Sequence, residues 1–284
     1  MTDLHELIAH PGANETAYVD PQFPRRPLTL RSARPRQFAP DTPVVFVHHG
    51  RGRNGADYRN YWLPLVDEAD ILVIAPEFSD VSFPGSRWYN HGNLLDDADL
   101  PNPPQASTYA IDERIFARLR TEGVTRRRRY GLFGHSAGSQ FVHRMLAVGY
   151  RAHVAAAAVG NAGTYSMPEI DTRFPFGLGG IGLTTDDLRN FLQFRLTVMA
   201  GTHDIDATAE HFPKDPASMR QGGTRFERAH RFIANARATA ERLGVHCNWT
   251  IIDVPGVAHE GDKMSAAAAP VLAAALHASE VIAV

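Results

Sequence analysis

Three observations on the 284-residue sequence predict an α/β chain with a mostly parallel central sheet flanked by helices. Short apolar runs recur along it (44–47, 71–75, 154–159, 195–200), and they lack the polar alternation of half-exposed strands, as strands buried on both faces do. Stretches with apolar residues at helical spacing separate them. Each of the chemically suggestive stretches begins where an apolar run ends.

The chain is organised around residues 129–143, where Tyr130 to Phe133 end an apolar run, Gly134, Ser136 and Gly138 spell GxSxG, and Phe141, Val142, Met145 and Leu146 continue at helical spacing. This pattern predicts a nucleophile elbow. A serine at a sharp strand-to-helix turn needs glycine neighbours so that strand and helix can approach closely, and the new helix aims backbone N–H groups at the oxygen that gains charge in acyl transfer.

A chain of this length buries about three quarters of its unfolded surface as one large domain. With 44% apolar and 21% charged residues it is neither disordered nor fibrous. A net charge of -2 exerts no global pull on nucleic acid or anionic membrane, so a small-molecule partner is expected. The one cysteine, Cys247, excludes an intramolecular disulfide and is expected as a buried residue of a strand. No basic region followed by an apolar stretch opens the chain, and no run reaches membrane-spanning length; a cytoplasmic location is the expectation.

Taken in order, residues 1–27 are polar and proline-punctuated and are expected to wrap the surface, and 28–284 to form a single domain. Residues 28–34 read as an antiparallel edge strand and 42–48 as a central strand. The glycine-rich loop His48-His49-Gly50-Arg51-Gly52-Arg53-Asn54-Gly55 follows directly, with His49 read as orienting it. A helix within 57–67, limited by Pro64, and a strand over 71–75 come next. Segment 78–106 is a long loop rich in Gly, Pro, Asn and Asp. Its Trp88 and Tyr89 either line a pocket or pin the loop. Ser107 is placed to cap a helix reaching about 122. The arginines 126–129 sit between that helix and the elbow strand, on the face away from the elbow, which argues against a nucleic-acid role.

Beyond the elbow, a strand over 154–159 ends at Gly160-Asn161-Ala162-Gly163. Residues 164–194 are irregular and read as a short, loop-built cap. A strand over 195–200 runs into Gly201-Thr202-His203-Asp204-Ile205-Asp206, whose acidic candidates are Asp204, preferred, and Asp206. A basic amphipathic helix over 224–243, a strand over 247–254, the loop carrying His259 and an alanine-rich helix over 263–279 close the chain. The aromatics of the two irregular segments (Phe83, Trp88, Tyr89, Tyr165, Phe174, Phe176) are expected to form a substrate pocket, with Trp88, Tyr89 and Phe176 as its contact residues.

Ser136, Asp204 and His259 thus come in the order nucleophile, acid, base, each at the end of an apolar strand. With His49-Gly50 after an early strand, Gly134-His135-Ser136-Ala137-Gly138, Gly201 to Asp204 and Gly256 to His259, the chain resembles the α/β-hydrolase superfamily over roughly 28–279. It is loosely similar to esterases of the polyhydroxybutyrate depolymerase and feruloyl esterase kind, which are often secreted and disulfide-bonded, a pattern from which its single cysteine and the expected absence of a secretory signal depart. The resemblance implies the α/β-hydrolase fold, ester hydrolysis by a Ser136–His259–Asp204 triad, and an oxyanion hole built from the N–H groups of Ala137 and of Arg51 or Gly52. A peptidase or amidase with the same triad, or a binding protein that keeps the fold, are the alternatives. This chemistry needs no metal or organic cofactor, and His135 and His143, without an acidic partner, make no zinc site.

Overall fold

The computed structural model describes residues 3–279. After a 3₁₀ turn at Leu4–Ile8 come β1 (Gly12–Tyr18), β2 (Leu28–Arg34), β3 (Val44–His48), α1 (Gly55–Trp62), α2 (Val66–Ala69), β4 (Leu72–Glu77) and α3 (Gly85–Trp88). They are followed by α4 (Ala110–Thr121), β5 (Tyr130–His135), α5 (Ala137–Ala147), β6 (Val154–Gly160), α6 (Thr185–Leu192), β7 (Leu196–Gly201), α7 (Pro216–Met219), α8 (Arg225–Leu243), β8 (Thr250–Val254) and α9 (Gly261–Ala278). The eight strands form one sheet in the order β1-β2-β4-β3-β5-β6-β7-β8. β1, β2 and β4 pair antiparallel and every later pair is parallel.

Period two along the strands sorts the core into two layers. Val44, Phe46, Leu132, Val159 and Val198 pack on one face against residues of α4, α5 and α8; Val45, Val47, Phe133, Ala158 and Met199 pack on the other against Trp62 of α1 and Met264 and Leu272 of α9. β3 and β5 are buried at every position, which is why 44–47 and 130–133 read as runs without polar alternation. Residues 161–184 contain no helix or strand and close one side of the site as loops. Among the described residues no helix is long and apolar enough to cross a membrane.

The N-terminal segment is not merely a surface wrap: β1 is the sheet's edge and β2, expected at the edge, lies one strand in. The inward face of β1 carries Asn14, Thr16 and Tyr18, so its alternation is structural without being apolar; Asn14 is satisfied by the carbonyls of His10 and Gly12. Ser107 does not cap α4, which starts three residues later; its hydroxyl accepts from the Tyr109 N–H instead. Cys247 is half-buried and precedes β8, because the last strand is a short, largely exposed edge that begins at Thr250.

Candidate active site

The turn from β5 to α5 holds Ser136 at φ 57°, ψ -117°, a conformation a non-glycine residue adopts only under strain. Its glycines are required sterically. A Cβ on Gly134 would stand 2.2 Å from the Gly138 carbonyl oxygen, and one on Gly138 would stand 2.1 Å from that of His48. The Ser136 N–H donates to the Gly160 carbonyl of β6 (3.0 Å), which fixes the elbow to the sheet.

Ser136 Oγ lies 3.0 Å from Nε2 of His259, and Nδ1 of His259 lies 2.8 Å from Oδ2 of Asp204. Asp204 is buried, and its second oxygen accepts from Nη1 of Arg225 at 3.3 Å. Asp206, the other acidic candidate, is exposed and accepts from the backbone and hydroxyl of Thr208, bonds that hold its carboxyl below the usual range. The loops after β7 and β8 are clamped together: Asn161 accepts from the Gly201 N–H and donates to the Ala258 carbonyl (both 2.9 Å), while the His203 N–H donates to Val257. Gly201 has no room for a side chain, since a Cβ would stand 2.5 Å from the Val257 oxygen.

The loop after β3 closes over the same serine. A Cβ on Gly50 would be 3.8 Å from that of Ser136, and the Arg53 N–H donates back to the Gly50 carbonyl, leaving Arg51 and Gly52 at the head of a turn. Ala137, the first residue of α5, has an N–H with no acceptor inside the helix. His49 orients this loop as expected from sequence: one ring nitrogen meets the Gly50 carbonyl and the other accepts from the Phe78 N–H (both 3.0 Å). Burial lowers its pKa to about 3. His135 and His143 are likewise pushed well below the ordinary imidazole range by burial.

A cavity of about 1110 Å³ opens over Ser136, with Arg51, Tyr89, Gln140, Phe176 and His211 in its wall. Tyr89 and Phe176 border it. Trp88 does not: the Arg26 guanidinium lies 3.6 Å over its ring and Phe23 meets it edge-on, so this aromatic pins the 78–106 loop to the N-terminal segment. Phe83 and Tyr165 are buried in the core, and Phe174 packs beside Arg144 and His91. Sequence reasoning missed Asn161, Arg225 and Tyr58. Only Asn161 left a signal, a lone amide among small residues at a strand end. Among the described residues no group of three His, Cys, Asp or Glu side chains is arranged to hold a metal.

No protein-family model matches the chain, and no curated protein does. Solved structures do. The poly(3-hydroxybutyrate) depolymerase LpqC from Bordetella parapertussis is 38% identical over 94% of this chain and 91% of its own, with a TM-score of 0.91. Poly(aspartic acid) hydrolase-1 from Sphingomonas sp. KT-1 is 32% identical over 93% of this chain and 99% of its own (TM-score 0.89). An S-formylglutathione hydrolase from Agrobacterium tumefaciens, at 13% identity and a TM-score of 0.57 over 93% of this chain and 94% of its own, shares the fold.

Proposed function

We propose that this chain, which belongs to the α/β-hydrolase superfamily, is a serine hydrolase that cleaves carboxylic esters through an acyl-enzyme on Ser136. The observation that carries the reading is the unbroken hydrogen-bonded series Ser136–His259–Asp204 at a strained elbow, beneath a cavity large enough for a substrate. His259 Nε2 takes the Ser136 proton as Oγ attacks the ester carbonyl. Asp204 accepts from Nδ1, selecting the tautomer and stabilising the imidazolium. Arg225, on the other Asp204 oxygen, fixes the carboxylate's orientation. His259 then protonates the departing alcohol, and water, activated by the same imidazole, releases the acid and restores Ser136. The N–H of Ala137 and that of Arg51 or Gly52 would hold the oxyanion, each such donor typically lowering the barrier by roughly 3 to 4 kcal/mol.

The wall of the cavity includes Asn90, Gln140 and Thr164, and the cap over it is loop-built, which favours small to medium esters over long acyl chains. Tyr89 and Phe176 are the aromatic contacts. The partner is a small molecule rather than nucleic acid or membrane, a reading supported by the engagement of Arg126 and Arg127 with Asp41, a strand's length from Ser136. Amide cleavage with the same residues is the second reading, favoured by the likeness to a hydrolase of poly(aspartic acid). Turnover of p-nitrophenyl esters from acetate to decanoate, beside the matching p-nitroanilides, tests both. Esters of two to six carbons should be cleaved fastest. Faster anilide turnover would transfer the reading to amides, and no turnover of either would remove it.

A further inference from the structure

The hydroxyl of Tyr58, on α1, lies where three loops of the site converge. It is 2.7 Å from Nδ1 of His135, the residue before Ser136. A Cβ on Gly50, in the loop after β3, would stand 3.1 Å from it, and so would one on Gly261, two residues after His259. Burial pushes the Tyr58 phenol up, so the hydroxyl keeps its proton. A protonated phenol facing that nitrogen donates to His135 Nδ1. The imidazole, held neutral by burial, then carries its proton on Nε2. That nitrogen is buried and has no partner among the described residues. An orphaned polar atom is a cost that a leucine in the same space would avoid, so packing alone does not account for a histidine here.

We propose that Tyr58 and His135 are a positioning pair that ties the Gly50–Arg53 turn to the nucleophile elbow and backs the ring of His259. The Gly50 carbonyl is already held by the Arg53 N–H and His49. With the Tyr58 hydroxyl packed on the α-carbon side of Gly50, this residue is constrained from both sides, which sets how the N–H groups of Arg51 and Gly52 are presented to Ser136. The His135 and His259 ring centroids are 4.8 Å apart, so a neutral ring at 135 adds no charge beside the imidazolium that forms during turnover. The pair acts through the loop and through His259, not on the reacting atoms, and the proposal rests on the serine-hydrolase reading above.

The test is kcat for p-nitrophenyl butyrate per Ser136 titrated with a fluorophosphonate, so that misfolded protein is not counted. Tyr58→Phe, which removes one oxygen and keeps the ring, should lower kcat about tenfold or more, because it loosens a donor whose outright loss costs 10²–10³, and should leave KM within about twofold. His135→Leu should match it, and the double variant should lose no more than the worse single one, since the two residues form one unit. His135→Asn, whose Oδ1 stands where Nδ1 stood, should recover most of the rate. An unchanged kcat per titrated site in Tyr58→Phe, losses that multiply in the double variant, or an asparagine no better than leucine would each overturn the pair. Failure of the underlying reading is distinct: the unsubstituted protein itself would neither label nor turn over.

Discussion

Ser136 carries backbone strain at the elbow, and among the described residues its hydroxyl bonds only to His259. Ser136→Ala should therefore abolish ester hydrolysis while the thermal midpoint stays within a few degrees; residual turnover at the wild-type rate would place the nucleophile elsewhere. Asp204 and Asp206 are two residues apart, yet one is buried against His259 and Arg225 and the other bonds its own turn. Asp204→Asn should lower kcat by roughly 10⁴, and Asp206→Asn should lower it hardly at all. Comparable losses in the two variants would contradict this assignment. Trp88 and Phe176 separate in the same way. Trp88→Ala, which breaks the stack with Arg26, should cost about 1–2 kcal/mol of unfolding free energy without changing KM. Phe176→Ala should raise KM for aromatic esters several-fold with little change in stability, and the opposite pattern in either variant would reverse their roles.

The elements that position the site were the most legible from sequence, for a reason visible in their burial. β3 and β5 are enclosed on both sides, so all but their terminal histidines are apolar or glycine, and the elbow glycines are demanded because an added Cβ would come within 2.1 and 2.2 Å of backbone oxygens. Gly138→Ala should accordingly fail to accumulate as soluble folded protein; a normally folded variant would show that strand and helix can separate. β1 was not legible, because its inward face includes Asn14, satisfied by nearby carbonyls, and Thr16, bonded to Glu6, beside the one aromatic Tyr18, so period two in burial left little period in hydropathy. The start of α4 was misplaced because Ser107 has a capping residue's chemistry but uses it on a turn. The contacts of Arg225 and Tyr58 span 21 and 77 positions and carry no local pattern, so only the folded chain reveals them. Trp88 was equally uninformative, since a loop aromatic reads alike whether it meets a ligand or an arginine.

Across the molecule, the buried imidazoles make stability depend on pH. His49 titrates at about 3 when folded and near 6.5 when unfolded, and His135 and His143 are depressed well below that ordinary value by the same desolvation. Their unfolded forms bind protons that the folded forms refuse. Stability should thus be full above pH 6.5 and fall as pH drops toward 4, each histidine contributing up to ~1.4 kcal/mol per pH unit. Urea midpoints between pH 7.5 and 4.5, above the range where most carboxylates titrate, check this, and a flat profile would mean the rings accept protons in place. On the proposed reading the fold serves to activate one serine, and treating the protein with a fluorophosphonate and mapping the adduct by mass spectrometry tests this most directly. One stoichiometric adduct on Ser136, lost in Ser136→Ala and slowed in His259→Ala, is the predicted result. An unmodified protein, or an adduct on any other residue, would contradict it.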